Sequence, residues 1–261
     1  MTLTRDEHAA EIRTRGYTVV PGILDDQQLS ASRAALDEVF TNEAAIAPER
    51  KWLTESYRVA YMLPQKHEVF RHLPLNPRLL PLMRSVLGND CVIGSLNGLT
   101  MVPGGTTQRL HKDSVSLPGQ VLYINALHAL DDFTIANGCT RLVPGSQNRA
   151  FRSDRPELLN SSDDAQLAAY EHEAIAVEAP AGSLIAYDGG LWHAGSRNAT
   201  QSPRRALHLL FCRPWVRPQW DFARSLSPQI IAGMTEDERS IFGVGIRQTW
   251  YDWRTDTRRL D

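Results

Sequence analysis

Long apolar runs are missing from this chain. Polar residues interrupt every hydrophobic stretch well short of the ~18 residues that span a bilayer, so no membrane partner is expected. Cysteine is scarce: Cys91, Cys139 and Cys212 form an odd set at wide spacing. That excludes a disulfide framework or zinc ribbon and makes a reducing cytoplasm the expected compartment. Neither sign of charge dominates, with Lys plus Arg at 28, Asp plus Glu at 30 and a net charge of −2. No global basic field is present to recruit nucleic acid or anionic lipid. The opening MTLTRDEHAAEIRTRG lacks the apolar segment of a secretory signal. No internal repeat is visible. What remains is ordinary globular composition, 42% hydrophobic and 22% charged, which excludes disorder. The expected partner is a small-molecule substrate, and the expected state is a monomer or homodimer.

No linker divides the chain, so one domain over residues 1–261 is expected. It has a helical and mixed part over 1–90, a strand-rich core over about 91–215, and an irregular Trp- and Arg-rich tail over 216–261. A short polar helix is predicted at 4–15 and a strand at Tyr17–Val20. Asp25 or Asp26 caps a helix striped by Leu29, Ala35, Leu36, Val39 and Phe40. Asn76-Pro77 opens another helix that runs to Gly88, with Pro81 forcing a late start or a kink. From Cys91 onward the pattern changes to short β-type runs: CVIGSLNGLTMV, VLYINALHAL, GCTRLV, GSLIAYD and RRALHLLFC. Turn clusters separate them, which predicts an antiparallel sandwich or barrel and not alternating βαβ units. A polar, partly helical insertion at 152–173 interrupts the strands.

Three pieces carry chemistry. In Gln108-Arg109-Leu110-His111-Lys112-Asp113, strand alternation puts His111 and Asp113 on one face and Lys112 on the other. An imidazole and a carboxylate two residues apart can converge on one metal ion, although a surface pair has the same spelling. His193 lies at the far side of the strand-rich region, either as a hydrogen-bonded core histidine or as a third ligand. Two histidines and one carboxylate make the facial triad of non-haem Fe(II) oxygenases, with coordination positions left open. The strand at 204–212 carries Arg204, Ala206, His208 and Leu210 on one face and Arg205, Leu207, Leu209 and Phe211 on the other. The second face suits packing against helices. The first suits a barrel interior, where a buried arginine needs an anionic partner and grips a carboxylate bidentately. Both arginines being solvated strand-start residues is the competing possibility.

These pieces together resemble the phytanoyl-CoA dioxygenase-like family of Fe(II)- and 2-oxoglutarate-dependent oxygenases. The resemblance rests on Gln-x-x-His-x-Asp at 108–113, Leu-Asp-Asp with Asn-Gly-Cys across 130–139, Val-Pro-Gly-Ser at 143–146, and His193, Asn198 and Arg204. The GYTVVPGIL opening fits as well, and the likeness spans roughly residues 10–215. One departure is Gln147, where the family often has histidine.

The resemblance implies a mainly β fold with flanking helices and a double-stranded β-helix (jelly-roll, cupin-like) core. It implies His111, Asp113 and His193 as iron ligands, Arg204 as anchor of the 2-oxoglutarate distal carboxylate, and O₂ as the second cosubstrate. Gln108 and Asn97 fall where relatives often place groups beside the cosubstrate; Asn97 equally suits a turn cap beside Gly98. Asn198 and Thr200 are expected to order the turn before Arg204, and Lys112 to point away from iron. The implied activity is hydroxylation of an unactivated C–H of a small metabolite, in specialised-metabolite tailoring or on an amino acid or acyl derivative. Related halogenases replace the carboxylate ligand with a small residue, and Asp113 keeps it. Desaturation, epoxidation and cyclisation are the same-family alternatives; a metal-dependent jelly-roll enzyme that uses no oxygen, and a non-catalytic binding protein, are the others. The insertion, the stretch 51–65 with Trp52, Tyr57 and Tyr61, and the tail are expected to supply pocket walls.

Overall fold

Thr4 starts the first helix by accepting from Glu7 N–H while Glu7 returns the bond, a reciprocal cap for α1 (Arg5–Arg15). In this computed structural model, residues 3–46, 57–114, 117, 119–149 and 164–245 are described. Gly16 ends α1 in the left-handed conformation and leads into β1 (Tyr17–Val20). Asp25 Oδ1 accepts from Gln28 N–H at 2.7 Å and caps α2 (Asp26–Ile46), which runs past the predicted stripe. Then come β2 (Tyr57–Ala60), α3 (Leu63–Lys66), α4 (Val69–His72) and α5 (Leu79–Leu87). Pro81 is the third residue of α5, where its missing N–H has no intrahelical partner to lose; the late start resolves the choice. Asn76 nonetheless caps, its Oδ1 accepting from Arg78 and Leu79 N–H.

The strand-rich part holds β3 (Val92–Met101), β4 (Tyr123–Ala129), β5 (Thr140–Leu142), α6 (Asp164–Glu173), β6 (Ile175–Val177), β7 (Leu184–Asp188), β8 (His193–Gly195) and β9 (Arg204–Cys212). Three short helices follow, α7 (Phe222–Ser225), α8 (Pro228–Gly233) and α9 (Glu236–Ile241). Strands β2, β6 and β8 were not anticipated; two of them are three residues long, too short for alternation to show. The rest of the predicted insertion, Trp52 and the end of the tail lie outside the described residues.

An antiparallel six-stranded sheet has the order β1-β7-β4-β9-β3-β2, and a three-stranded sheet the order β6-β5-β8. These sheets make the jelly-roll. Between them lies an apolar layer that includes Leu127, Phe133, Leu142, Ile185 and Ala206. The outer face of the large sheet, with Ile124, Ala126, Leu207, Leu209 and Phe211, packs on the helices. There α5 alone buries Leu79, Leu80, Leu82, Met83, Val86 and Leu87. Each such side chain contributes about 1.5–3 kcal/mol when fully buried. Gly98 lets α2 approach: a Cβ there would lie 2.3 Å from Leu36 Cδ1. Gly138 has φ +85°, and a Cβ would meet Ser196 O at 2.4 Å, so Asn-Gly-Cys places a tight turn against the segment after β8.

Candidate metal centre and pocket

Between β3 and β4 the chain crosses to the small sheet. His111 and His193 exchange backbone hydrogen bonds at 2.9 Å in each direction, which sets the two rings side by side at 4.4 Å. His111 Nδ1 lies 3.0 Å from Arg109 O, and His193 Nδ1 lies 2.9 Å from Leu191 O. A carbonyl can only accept, so each Nδ1 carries a proton and each Nε2 is turned to the cluster, where it can give its lone pair to a metal or, with no metal, take a proton toward Asp113. Both Nε2 atoms face Asp113: His193 Nε2 is 3.3 Å from Oδ2 and His111 Nε2 is 3.9 Å from Oδ1. One ligand atom from each of the three residues lies within 4.8 Å of the others.

The electrostatics suit a cation. Burial pushes the Asp113 carboxyl up, but the charge and hydrogen bond of His193, then His208 and His111, outweigh it and hold it well below the usual range. Burial and the neighbouring His193 push His111 down; His193 is raised despite its burial because Asp113 faces it. The carboxylate is held in place by Asn125 of β4, whose Nδ2 donates to Oδ2 at 2.7 Å. Tyr187 of β7 packs its ring 4.7 Å from that of His193.

Arg204 is 4% exposed at the start of β9. Its guanidinium carbon sits 3.8 Å over the Phe133 ring, and Nε and Nη1 are buried with no hydrogen-bond partner. Burial lowers its pKa to about 10. A guanidinium buried without a partner is costly unless an anion arrives to satisfy it. Arg205, one residue on, points the other way and is satisfied: it donates to Asp131 at 3.1 and 3.0 Å and to Asp37 at 2.6 Å. The Leu-Asp-Asp motif therefore serves structure, with Asp132 Oδ1 accepting from Ala181 N–H.

A cavity of about 330 Å³ joins Arg204 to the His111, Asp113 and His193 cluster. Gln108 and Asn97 line it too. Gln108 Oε1 accepts from Gly195 N–H at 2.8 Å. Asn97 lies in the middle of β3 and caps no turn; its Oδ1 accepts from Met62 N–H and Trp220 Nε1–H, each at 3.3 Å. Tyr57 and Tyr61 form part of the wall. Lys112 turns away, its ammonium 5.5 Å from the Trp192 ring centroid. Asn198 donates to Met101 O and Ser202 O and accepts from Thr200, so this pair orders the turn before β9. Sequence reasoning missed Asn125, Tyr187 and Arg217, and it placed His208 on the inward face without a role. Asn125 had a signal: an amide at an inward position of a strand whose other inward residues are Tyr123, Leu127 and Ala129.

A family model described as phytanoyl-CoA dioxygenase (PhyH) matches residues 12–206. The dioxygenase af480 of Aspergillus fumigatus is 27% identical over 248 residues, covering 88% of this chain and 76% of that protein. The non-heme alpha ketoglutarate dependent carbocyclase SnoK from nogalamycin biosynthesis superposes with a TM-score of 0.69 at 25% identity, covering 87% of this chain and 94% of that one. HygX from Streptomyces hygroscopicus, solved with nickel and 2-oxoglutarate bound, shares the fold with a TM-score of 0.65 at 20% identity, covering 83% and 90%. A donor set of two imidazoles and a carboxylate fits iron, and the unpartnered buried guanidinium of Arg204 fits a dicarboxylate. The chain therefore belongs to the phytanoyl-CoA dioxygenase family and is a 2-oxoglutarate-dependent oxygenase with a His, Asp, His donor set that fits iron.

Proposed function

We propose that the protein hydroxylates an unactivated C–H of a small metabolite, with His111, Asp113 and His193 holding Fe(II) and Arg204 anchoring 2-oxoglutarate. The observation that carries this reading is the pairing, within one cavity, of the three-residue donor cluster with a buried arginine whose Nε and Nη1 have no protein partner. When bound, iron with O₂ and 2-oxoglutarate supplies oxidative decarboxylation to succinate and CO₂, leaving one oxygen atom for the substrate.

The chain's own residues do the positioning. The carbonyls of Arg109 and Leu191 fix the two imidazoles with Nε2 inward. Asn125 holds the carboxylate so that it presents Oδ1 and Oδ2 in one orientation. Arg204 draws the distal carboxylate of 2-oxoglutarate deep into the jelly-roll, and the Phe133 ring beneath the guanidinium keeps water from competing there. Gln108, pinned to Gly195, lines the wall toward Arg204, whereas Asn97 pairs with His208, four residues along β9 from Arg204, and is pinned there to Met62 and Trp220. As a ligand, the Asp113 carboxylate would occupy the position that a halide would need, which favours oxygenation over chlorination.

The carbocyclase SnoK, at 25% identity, makes ring closure the competing outcome of the same site. Turnover under ¹⁸O₂ separates the two. Substrate-stimulated succinate release with one labelled oxygen in the product supports hydroxylation. A product two mass units lighter than substrate, without label, assigns desaturation or ring closure. An isomer formed without oxygen contradicts the oxygenase reading.

A further inference from the structure

The described cavity walls carry few charges. Among the described residues that line it, the charged groups outside the histidines are the Asp113 carboxylate and the guanidinium groups of Arg204 and Arg217. With the centre occupied as proposed above, on which this inference rests, Fe(II) and dianionic 2-oxoglutarate cancel. Asp113 and Arg204 cancel as well. Arg217 is left over, and it makes no ion pair with any described residue.

Arg217 is exposed, but hydrogen bonds hold the backbone of its segment on both sides of it in the chain. The Arg213 guanidinium donates to Val121 O at 2.8 Å and to Leu87 O at 3.0 Å, and Val216 N–H donates to Arg213 O at 3.0 Å. Tyr123 Oη donates to Arg217 O at 3.5 Å. Three residues on, Trp220 N–H donates to Gly94 O at 2.9 Å and its indole reaches Asn97. The exposed Arg217 guanidinium is thus carried to the cavity by a fixed segment, whose Trp220 also packs edge-on against Tyr61 at 5.7 Å. Further in, His208 reaches the same cavity from β9 and makes no hydrogen bond with a described residue. An imidazole there offers a hydrogen bond to a bound molecule near Asp113. A cavity of 330 Å³ shared with 2-oxoglutarate sits at the small end of ligand pockets.

We infer that the primary substrate is a small carboxylic acid whose carboxylate pairs with Arg217, while its reacting end lies beside His208 and the metal ligands. A cationic substrate meets repulsion from Arg217, the charge left over among the described lining residues, and a neutral one leaves the guanidinium unused.

The test uses a matched pair of probes, 3-phenylpropionate and 3-phenylpropanamide, which differ in charge and hardly in shape. Binding is read anaerobically from the change each makes in the visible charge-transfer band of the full-length protein with Fe(II) and saturating 2-oxoglutarate, so that Arg204 is already occupied. The acid is expected to bind about fivefold more tightly than the amide, the size of a partly exposed ion pair. In Arg217→Gln the preference falls to within about twofold, and Arg217→Lys restores part of it. Equal binding of acid and amide in the wild type, an unchanged preference in Arg217→Gln, or no binding of the acid overturns the inference. If Fe(II) and 2-oxoglutarate give no band at all, the fault lies with the metal and cosubstrate assignment. Calorimetry of the same pair on Arg204→Ala and on the double variant Arg204→Ala, Arg217→Gln, where Arg204 cannot capture the acid, then decides the role of Arg217 separately.

Discussion

The Asn125 amide nitrogen stands 2.7 Å from Asp113 Oδ2, and so a strand of the large sheet orients a carboxylate carried by the segment that crosses to the small one. Groups that hold a ligand in place typically change metal affinity by about 10–100-fold when lost. Asn125→Leu, close in size, should therefore weaken Fe(II) binding by about that factor while leaving the thermal midpoint nearly unchanged. Metal titration followed by chelator competition measures it. An unaltered iron affinity means that Asp113 is oriented by something else.

Arg204 and Arg205 provide a second comparison, because adjacent residues on opposite faces of one strand have opposite circumstances. Arg204→Ala should raise the 2-oxoglutarate KM about thirtyfold or more, since truncating one partner of a buried charged contact costs roughly 2–5 kcal/mol. Arg205→Ala should leave that KM nearly unchanged and instead lower stability by about 1 kcal/mol through its partly exposed pairs with Asp131 and Asp37. Steady-state kinetics and chemical denaturation of the two variants check both halves. The reverse order assigns the anchor to the wrong face.

Asp113→Gly opens a coordination position but also removes the carboxylate that His193 and His111 face. Substrate conversion should be mostly lost, with traces of succinate formed without product, and added chloride should not yield a chlorinated compound. Mass spectrometry of the reaction mixture measures all three.

His128 gives a prediction about pH. It is fully buried on β4, Nε2 has no partner, and burial lowers its pKa from 6.5 to about 4. The unfolded chain takes up this proton before the folded one does. Its contribution to stability is intact above pH 6.5 and is lost as the pH falls toward 4, by roughly 3 kcal/mol at most. Asp188 acts with the opposite sign across part of the same window, because burial raises its carboxyl to about 6. The difference between wild type and His128→Leu isolates the histidine. The variant should gain stability relative to wild type as pH falls from 6.5 to 4, which thermal melts across that range will show. A constant difference contradicts it.

Much of this site was legible because its chemistry depends on residue types at fixed spacing. His111 and Asp113 share a face by strand alternation, and the Arg204 and Arg205 faces separate for the same reason. The large-sheet strands were legible wherever β-branched and leucine runs were bounded by turn residues. Strands β6 and β8 are held by pairing with β5, a tertiary contact that leaves no periodicity in three residues. Asn125 escaped notice because its partner lies across the fold, at the end of a loop whose path a linear reading does not supply. Arg217 escaped for a related reason: its segment reads as irregular tail, and hydrogen bonds to Val121, Leu87 and Gly94 bring it to the cavity.

His111, Asp113 and His193 are proposed to hold iron while Arg204 holds 2-oxoglutarate in the same cavity. Anaerobic titration of Fe(II) and 2-oxoglutarate, followed in the visible region, tests both assignments at once. The wild type should develop a weak charge-transfer band that saturates with one equivalent of each. His193→Ala should show none, and Arg204→Ala should need far more 2-oxoglutarate to reach it. A wild-type protein that gives no band, or a band that survives unchanged in both variants, contradicts the account.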